Sequence, residues 1–460
     1  MGILKLVPPD GLRAENTSSS SKLGTVSSST YSSSATSTNH QTQDQTQLQD
    51  LHQSCQDACL QTSFSPQPFF ATLEPIDITP EERVQNILCQ KVVMLAAELF
   101  PEAGSSDDLQ VEYVGEGSFH QVIGFAVPQA KVANCDPEDE GRLVTDLEKY
   151  VVRIPRDATD MLREVAVLKG LEGRLNVPVP RVIAFDASKD NVLGLQYTLE
   201  TRLRGRSLED LVGDDSFNGQ SECVLQQVVQ LVEGLTEITA PYPGSISEEF
   251  NDVMEKGLCS SRIPIKPFDF PFDASSLISL PNQTPLTYML ALIDLWLDYE
   301  QEYYPNENNF VPWNKIKAIL HSLQRRDLLG EKFHLSHGDL APRNIMAEVV
   351  NESSVEITGV VDWDFACFAP KFCAYRAPLN LWDKDEAEAI AICTADLVDA
   401  FKDTASAEWI KYAFSTEAKI GRKIWDIIRL GMLGKDRRWY ALNTIWDWQR
   451  LHPKDNMGSF

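Results

Sequence analysis

The spacing of apolar residues changes once along this chain, and that change limits what it can fold into. Between 109 and 203 the apolar residues come in short runs, at 109–114, 121–127, 150–154, 179–185 and 193–203, which read as strands. One stretch of helical spacing, 158–171, lies among them. After Gly205 helical spacing dominates, at 225–238, 286–304, 313–325, 387–401 and 415–433, broken by a hairpin pattern at 345–349 and 355–361. The pattern predicts an α+β chain of two lobes, a small β-rich one followed by a larger, mainly helical one.

Upstream, 16 of the 22 residues from 17 to 38 are Ser or Thr, and 41–61 is rich in glutamine. Such tracts bury too little apolar surface to offset an ordering cost of about 1–2 kcal/mol per residue. Residues 1–73 are therefore expected to form a disordered tail, with 74–203 the first lobe and 204–460 the second. Order begins at Thr79-Pro80-Glu81-Glu82, which supplies an N-cap, a proline at the first helical position and an acid at the third. Beyond it Val84, Ile87, Leu88, Val92, Leu95, Ala96 and Leu99 recur at helical spacing.

Charge removes several classes of partner. The 41 Lys and Arg against 67 Asp and Glu leave a formal charge of −26, which repels phosphate backbones and anionic lipid, so neither nucleic acid nor a membrane surface is expected to bind. No stretch approaches the roughly 20 apolar residues of a membrane span. Leu6 stands where a myristoylation signal carries Ser or Thr, and no secretory signal is visible. Nine cysteines without paired short spacings suit a reducing, cytoplasmic setting.

The densest chemistry lies around the hairpin: His337-Gly338-Asp339-Leu340-Ala341-Pro342-Arg343-Asn344, then Val361-Asp362-Trp363-Asp364. Phosphoryl transfer needs a carboxylate to orient and deprotonate an accepting hydroxyl, and oxygen ligands to hold Mg²⁺ against the phosphates. An Asp, an Asn five residues on and a second Asp beyond a hairpin meet that need. The pattern resembles the aminoglycoside phosphotransferase and choline kinase family, whose members share a bilobal protein-kinase-like fold. The resemblance implies ATP and Mg²⁺ as cofactors, Asp339 as catalytic base, Asn344 and Asp362 as metal ligands, and His337 as the brace of the catalytic loop. Asp364 is a candidate for the metal's outer surroundings.

Upstream, Gly115-Glu116-Gly117-Ser118-Phe119-His120-Gln121-Val122 lies between two expected strands and resembles a nucleotide-covering loop, with His120 in place of the third glycine. Gly115, Gly117 and Ser118 are the expected phosphate contacts. Arg153, in Val151-Val152-Arg153-Ile154, stands where kinases carry a phosphate-binding lysine, and keeps the charge with a different shape; Lys149 is a possible substitute. Glu164, on the apolar stripe of the following helix, needs a cation, and Arg153 is the expected partner. Leu199–Gly205 resembles the hinge that meets adenine.

Glycine at 338, where regulated protein kinases place arginine, and the lack of an Ala-Pro-Glu triplet favour a small-molecule acceptor over a protein. An aminated acceptor is expected among Trp296, Asp298, Tyr299, Glu300, Tyr303, Trp382, Asp383, Asp385 and Trp446, where rings and acids mix. The competing reading is a kinase-like nucleotide-binding or scaffold module without turnover, which Arg153 for lysine and His120 for glycine would suit.

Overall fold

The computed structural model describes residues 79–101, 109–117, 119–128, 147–156, 161–212, 221–249, 263–278, 283–351, 354–376 and 403–455. The segment 1–73, Ser118, the helix expected at 387–401, and Trp382, Asp383 and Asp385 lie outside them.

Helix α1, Pro80–Leu99, starts as its sequence dictates: Thr79 Oγ1 accepts the Glu82 N–H at 3.2 Å, and the Glu82 carboxylate accepts the Thr79 N–H at 2.8 Å. Two otherwise orphaned donors are satisfied reciprocally. The buried face of α1, Leu88, Val92, Leu95 and Ala96, packs with Ile123, Phe125, Tyr150, Val152 and Leu199 of a five-stranded sheet. That sheet comprises β1 (Gln110–Glu116), β2 (His120–Pro128), β3 (Leu147–Pro155), β4 (Val182–Asp186) and β5 (Tyr197–Thr201) in the order β1-β2-β3-β5-β4, antiparallel throughout.

The last two strands are shorter than their apolar runs. Pro178 and Pro180 have no N–H to give a ladder, so β4 begins only at Val182. Asn191 folds the segment before β5 into a turn: its Oδ1 accepts the N–H groups of Leu193 and Gly194, and its Nδ2 donates to the Leu195 carbonyl.

Helix α2, Met161–Leu171, follows β3 in the chain but gives Ala166, Val167, Leu168 and Leu171 to the core of the second lobe. Its Glu164 is thereby fixed relative to both lobes.

The second lobe holds helices α3 (Ser221–Glu237), α4 (Pro285–Tyr303), α5 (Phe310–Arg325), α6 (Ala407–Phe414), α7 (Thr416–Leu430) and α8 (Lys435–Leu451). Its core contains Trp296, Trp313, Trp363, Trp425 and Trp448. Helix α8 was not expected. It buries Ala441, Thr444, Ile445 and Trp448 but leaves Trp439 and Trp446 exposed, so aromatics on both sides blur its period.

Two pairs of strands position the motif loops. Strands β6 (Phe333–Ser336) and β9 (Cys367–Pro370) are antiparallel, with Ser336 opposite Cys367. The hairpin of β7 (Ile345–Asn351) and β8 (Ser354–Val360) sets Ile345 opposite Val360. The loops 337–344 and 361–366 are therefore each clamped at both ends, and they run side by side. Among the described residues no helix is long and apolar enough to cross a membrane.

Candidate active site

Backbone pairing joins the two loops before any side chain acts, since the Val361 N–H donates to the Asn344 carbonyl at 2.9 Å. The Asn344 side chain then donates from Nδ2 to the Asp339 carbonyl at 2.8 Å and to Asp339 Oδ2 at 3.3 Å. Arg343 Nη2 reaches the same Oδ2 at 2.6 Å. Asp339, Asn344 and the Val361-Asp362 step are thus one connected group. Arg343 was not anticipated, although its place four residues after Asp339 was visible in the sequence.

His337 is buried, with Nε2 donating to the Val361 carbonyl at 3.0 Å and Nδ1 accepting the Asp339 N–H at 3.3 Å. Only the neutral ring with its proton on Nε2 makes both bonds. Burial agrees, lowering the His337 pKa to about 4. The ring lies 4.5 Å, centroid to centroid, from that of Trp363, whose Nε1 donates to the Val360 carbonyl at 2.9 Å.

Two backbone features tighten the junction. Gly338 has φ +83°, and a Cβ there would lie 2.4 Å from the Phe365 carbonyl oxygen, so glycine lets the loops touch. Asp362 is left-handed at φ 65°, ψ 58°, a conformation costing an ordinary residue about 1–2 kcal/mol but better tolerated by aspartate. It turns the chain sharply between Val361 and Trp363.

A cleft of about 320 Å³ lies above this junction, its lining including Val114, Val122 and Val151 of the sheet, Leu203 of the hinge, and Met346 and Val361 of the second lobe. Apolar surface from both sides suits a flat ring. Gly117, His120, Arg153, Glu200 and Asp362 also line it. A Cβ at Gly115 or Gly117 would meet nothing within 4 Å, so the glycine-rich turn has open space beside its backbone.

Arg153 Nη2 lies 3.1 Å from Asp364 Oδ1, 3.4 Å from Asp362 Oδ1 and 3.2 Å from His120 Nδ1. Burial by itself would lower its pKa, but Glu200, Asp364, Glu164 and Asp362 raise it, so the guanidinium stays charged. Burial raises the pKa of Asp362, with Asp364 adding repulsion, and burial also raises that of Asp364, against the pull of Arg153. Glu200 is likewise raised by burial and lowered by Arg153. Glu200 was missed because nothing in an apolar strand run marks a buried acid as part of a site.

One expected pairing is corrected. Glu164 meets His120, Oε1 to Nε2 at 3.1 Å, instead of Arg153. The imidazole occupies the space between the acid and the guanidinium. Lys149 is exposed, and Arg153 holds the cleft. His120, Glu164 and Asp364 lie close enough to share a metal ion, but Arg153 already places positive charge against them.

Three of the expected acceptor residues, Trp296, Glu300 and Trp446, also go elsewhere. Trp296 is in the core, donating to the Ile428 carbonyl, and buried Glu300 accepts from Asn309 Nδ2 at 3.0 Å and Trp313 Nε1 at 3.2 Å. Trp446 is on the surface against Trp439. The cavity that adjoins His337 and Gly338, about 160 Å³, has Arg376, Arg422, Arg429 and Asp426 among its lining residues.

The oxygen set at Asp362 and Asn344 fits a hard divalent cation. Asn344 spends its Nδ2 on Asp339, which leaves Oδ1 as the amide's ligand atom, and the Asp362 side chain keeps 35% exposure.

The profile of the phosphotransferase enzyme family (APH) matches residues 139–373, just over half of the chain. No curated protein sequence matches. Among solved structures, the GDP complex of wild-type aminoglycoside 2'-phosphotransferase-IIIa aligns at 14% identity and a TM-score of 0.39, over 79% of this chain and 99% of that one. The GDP and kanamycin complex of APH(2")-IIia aligns at 16% and 0.37, over 80% and 99%. The streptomycin-ATP ternary complex of APH(2")-IIa aligns at 13% and 0.38, over 83% and 100%.

Proposed function

The chain belongs to the phosphotransferase enzyme family, and from that footing we propose that it moves the γ-phosphoryl of ATP to a hydroxyl of a small molecule. The convergence of Asp339, Asn344 and Asp362 beneath a two-sided apolar cleft supports this above all.

Arg343 and Asn344 both donate to Oδ2 of Asp339, so Oδ1 is the atom left to accept the acceptor's proton as its oxygen attacks phosphorus in line with the leaving ADP. Neutral His337 holds Asp339 and Val361 at fixed separation through its two ring nitrogens. Arg153 supplies positive charge at the cleft, and the glycine-rich turn offers space for phosphate oxygens. Asn344 and Asp362 would hold Mg²⁺, which neutralises charge on the transferring phosphates.

The acceptor enters on the side of the cavity beside Gly338. Arg422 is held by the carbonyls of Phe372, Tyr412 and Ala413, but with Arg376 and Arg429 against Asp426 the described lining stays net positive and favours an acceptor that carries an anionic group over an aminated one.

The test is Mg²⁺-dependent transfer of label from γ-labelled ATP to a panel of hydroxy acids, sugar phosphates, amino sugars and amino alcohols, with Asp339→Asn as control. Transfer by the native chain and a loss of about a hundredfold or more in the variant are expected. Stabilisation by ATP with no label reaching any acceptor or water would replace this proposal with the binding module.

A further inference from the structure

His120 takes the place of a glycine at the end of the glycine-rich turn, yet it is among the more buried polar residues of the sheet lobe, at 5% exposure. It opens β2, opposite Pro155 of β3, and its carbonyl accepts the Gly117 N–H at 2.8 Å, so its backbone belongs to the turn. Its side chain points the other way, between β3 and α2.

The hydrogen-bond roles around the ring follow from its neighbours. His120 Nδ1 lies 3.2 Å from Arg153 Nη2, which can only donate, and 3.4 Å from Asp364 Oδ2; the nearer, hydrogen-bonded contact makes it an acceptor. Nε2 lies 3.1 Å from Glu164 Oε1, within ion-pair distance but without the alignment of a hydrogen bond. The chain of contacts runs from guanidinium through imidazole to carboxylate. Nη2 also faces Asp364, at 3.1 and 3.3 Å, and Asp362, at 3.4 Å. Arg163 holds this segment by donating to the Asp364 carbonyl at 2.8 Å.

We infer that His120 is a positioning residue for the nucleotide phosphates: its imidazole spans the gap between Glu164 and Arg153 and so aims the guanidinium at the cleft. No ion pair joins Glu164 to Arg153 among the described residues, while His120 touches both; α2 is keyed into the core of the second lobe, so the imidazole relays its position to β3. Arg153 Nε is buried and has no hydrogen-bond partner among the described residues, an arrangement that costs free energy unless an acceptor arrives. A phosphate oxygen in the cleft is an acceptor of the right kind.

This inference rests on the nucleotide reading above, and the two are separated by comparing ATP with adenosine, which lacks the phosphates. Titration calorimetry of the full chain in Mg²⁺ gives both affinities. A native chain that binds ATP no better than adenosine ends both proposals. Where the native chain prefers ATP, His120→Ala is expected to lower the ATP affinity by roughly tenfold or more while adenosine binding holds within about twofold. His120→Gln, whose amide both accepts and donates, is expected to recover most of the preference. An equal loss for ATP and adenosine in His120→Ala, the mark of a merely structural residue, overturns the inference, as does an unchanged preference. Should the alanine variant fail to fold, Glu164→Gln serves instead: it weakens the far end of the relay and is expected to reduce the preference for ATP, and an unchanged preference there is equally fatal.

Discussion

Phe119, at the tip of the glycine-rich turn, packs edge-on against Phe365 of the loop that carries Asp362, with ring centroids 5.6 Å apart and planes at 71°. Both rings are partly exposed, at 41% and 49%, so the contact is a surface latch across the phosphate end of the cleft. Aromatic pairs contribute about 0.5–1.5 kcal/mol beyond their buried area, and half-exposed rings sit at the low end. Replacing Phe365 with alanine should therefore raise the dissociation rate of a fluorescent ATP analogue about two- to fivefold in stopped-flow traces. A rate equal to that of the native chain would show that the latch does not restrain the turn.

His337 ties stability to pH. Its folded pKa of about 4 lies below the ordinary value near 6.5, so between those values the unfolded chain binds more protons than the folded one. Stability from this group is complete above about pH 6.5 and is lost as pH falls toward 4, on the order of 3 kcal/mol in all. Urea unfolding at pH 7 and pH 4.5 should show a smaller pH dependence in His337→Gln, which can still donate to the Val361 carbonyl but does not titrate. Equal slopes for the two proteins would contradict the assignment of a neutral ring.

Gly338 is expected to resist even alanine. A Cβ there would sit 2.4 Å from the Phe365 carbonyl oxygen, on a backbone at φ +83°, so Gly338→Ala combines a steric clash with left-handed strain of about 1–2 kcal/mol. A thermal midpoint several degrees below native is the expected result, together with loss of phosphoryl transfer as the two loops separate. A midpoint within a degree of native would mean that the loops part without cost.

Arg429 separates the acceptor classes. Its guanidinium lies 4.8 Å from the centre of the Phe268 ring and lines the cavity beside Gly338. Arg429→Met keeps much of the apolar stem and removes the charge, so KM for an anionic acceptor should rise about tenfold with kcat little changed. An acceptor that turns out to be a cationic amine, or a KM indifferent to the substitution, would refute an anionic pocket.

What the linear chain determined is what depends on near neighbours and on periodicity. Thr79, Pro80 and Glu82 set the start of α1 because a cap is a matter of three residues. The change of apolar period near Gly205 separated sheet from helices, because one face of each element must be buried. Asp339 and Asn344 were legible as a pair because five residues of loop cannot carry them far apart, and the hairpin returned Asp362 to them through the pairing of Ile345 with Val360.

Tertiary structure decided the rest. Glu164 pairs with His120 and not with Arg153 because a packed side chain, not sequence order, determines what fills the space between a helix and a sheet. Trp296 and Glu300 went to the core because a mixed stripe of rings and acids on a helix has the same period whether it faces a ligand or another helix. Arg422 and Arg429 share α7, but Arg376 follows β9 in the chain and meets them only when the two segments pack together. Long-range packing therefore chose which charges share a cavity, a choice that local spacing does not encode.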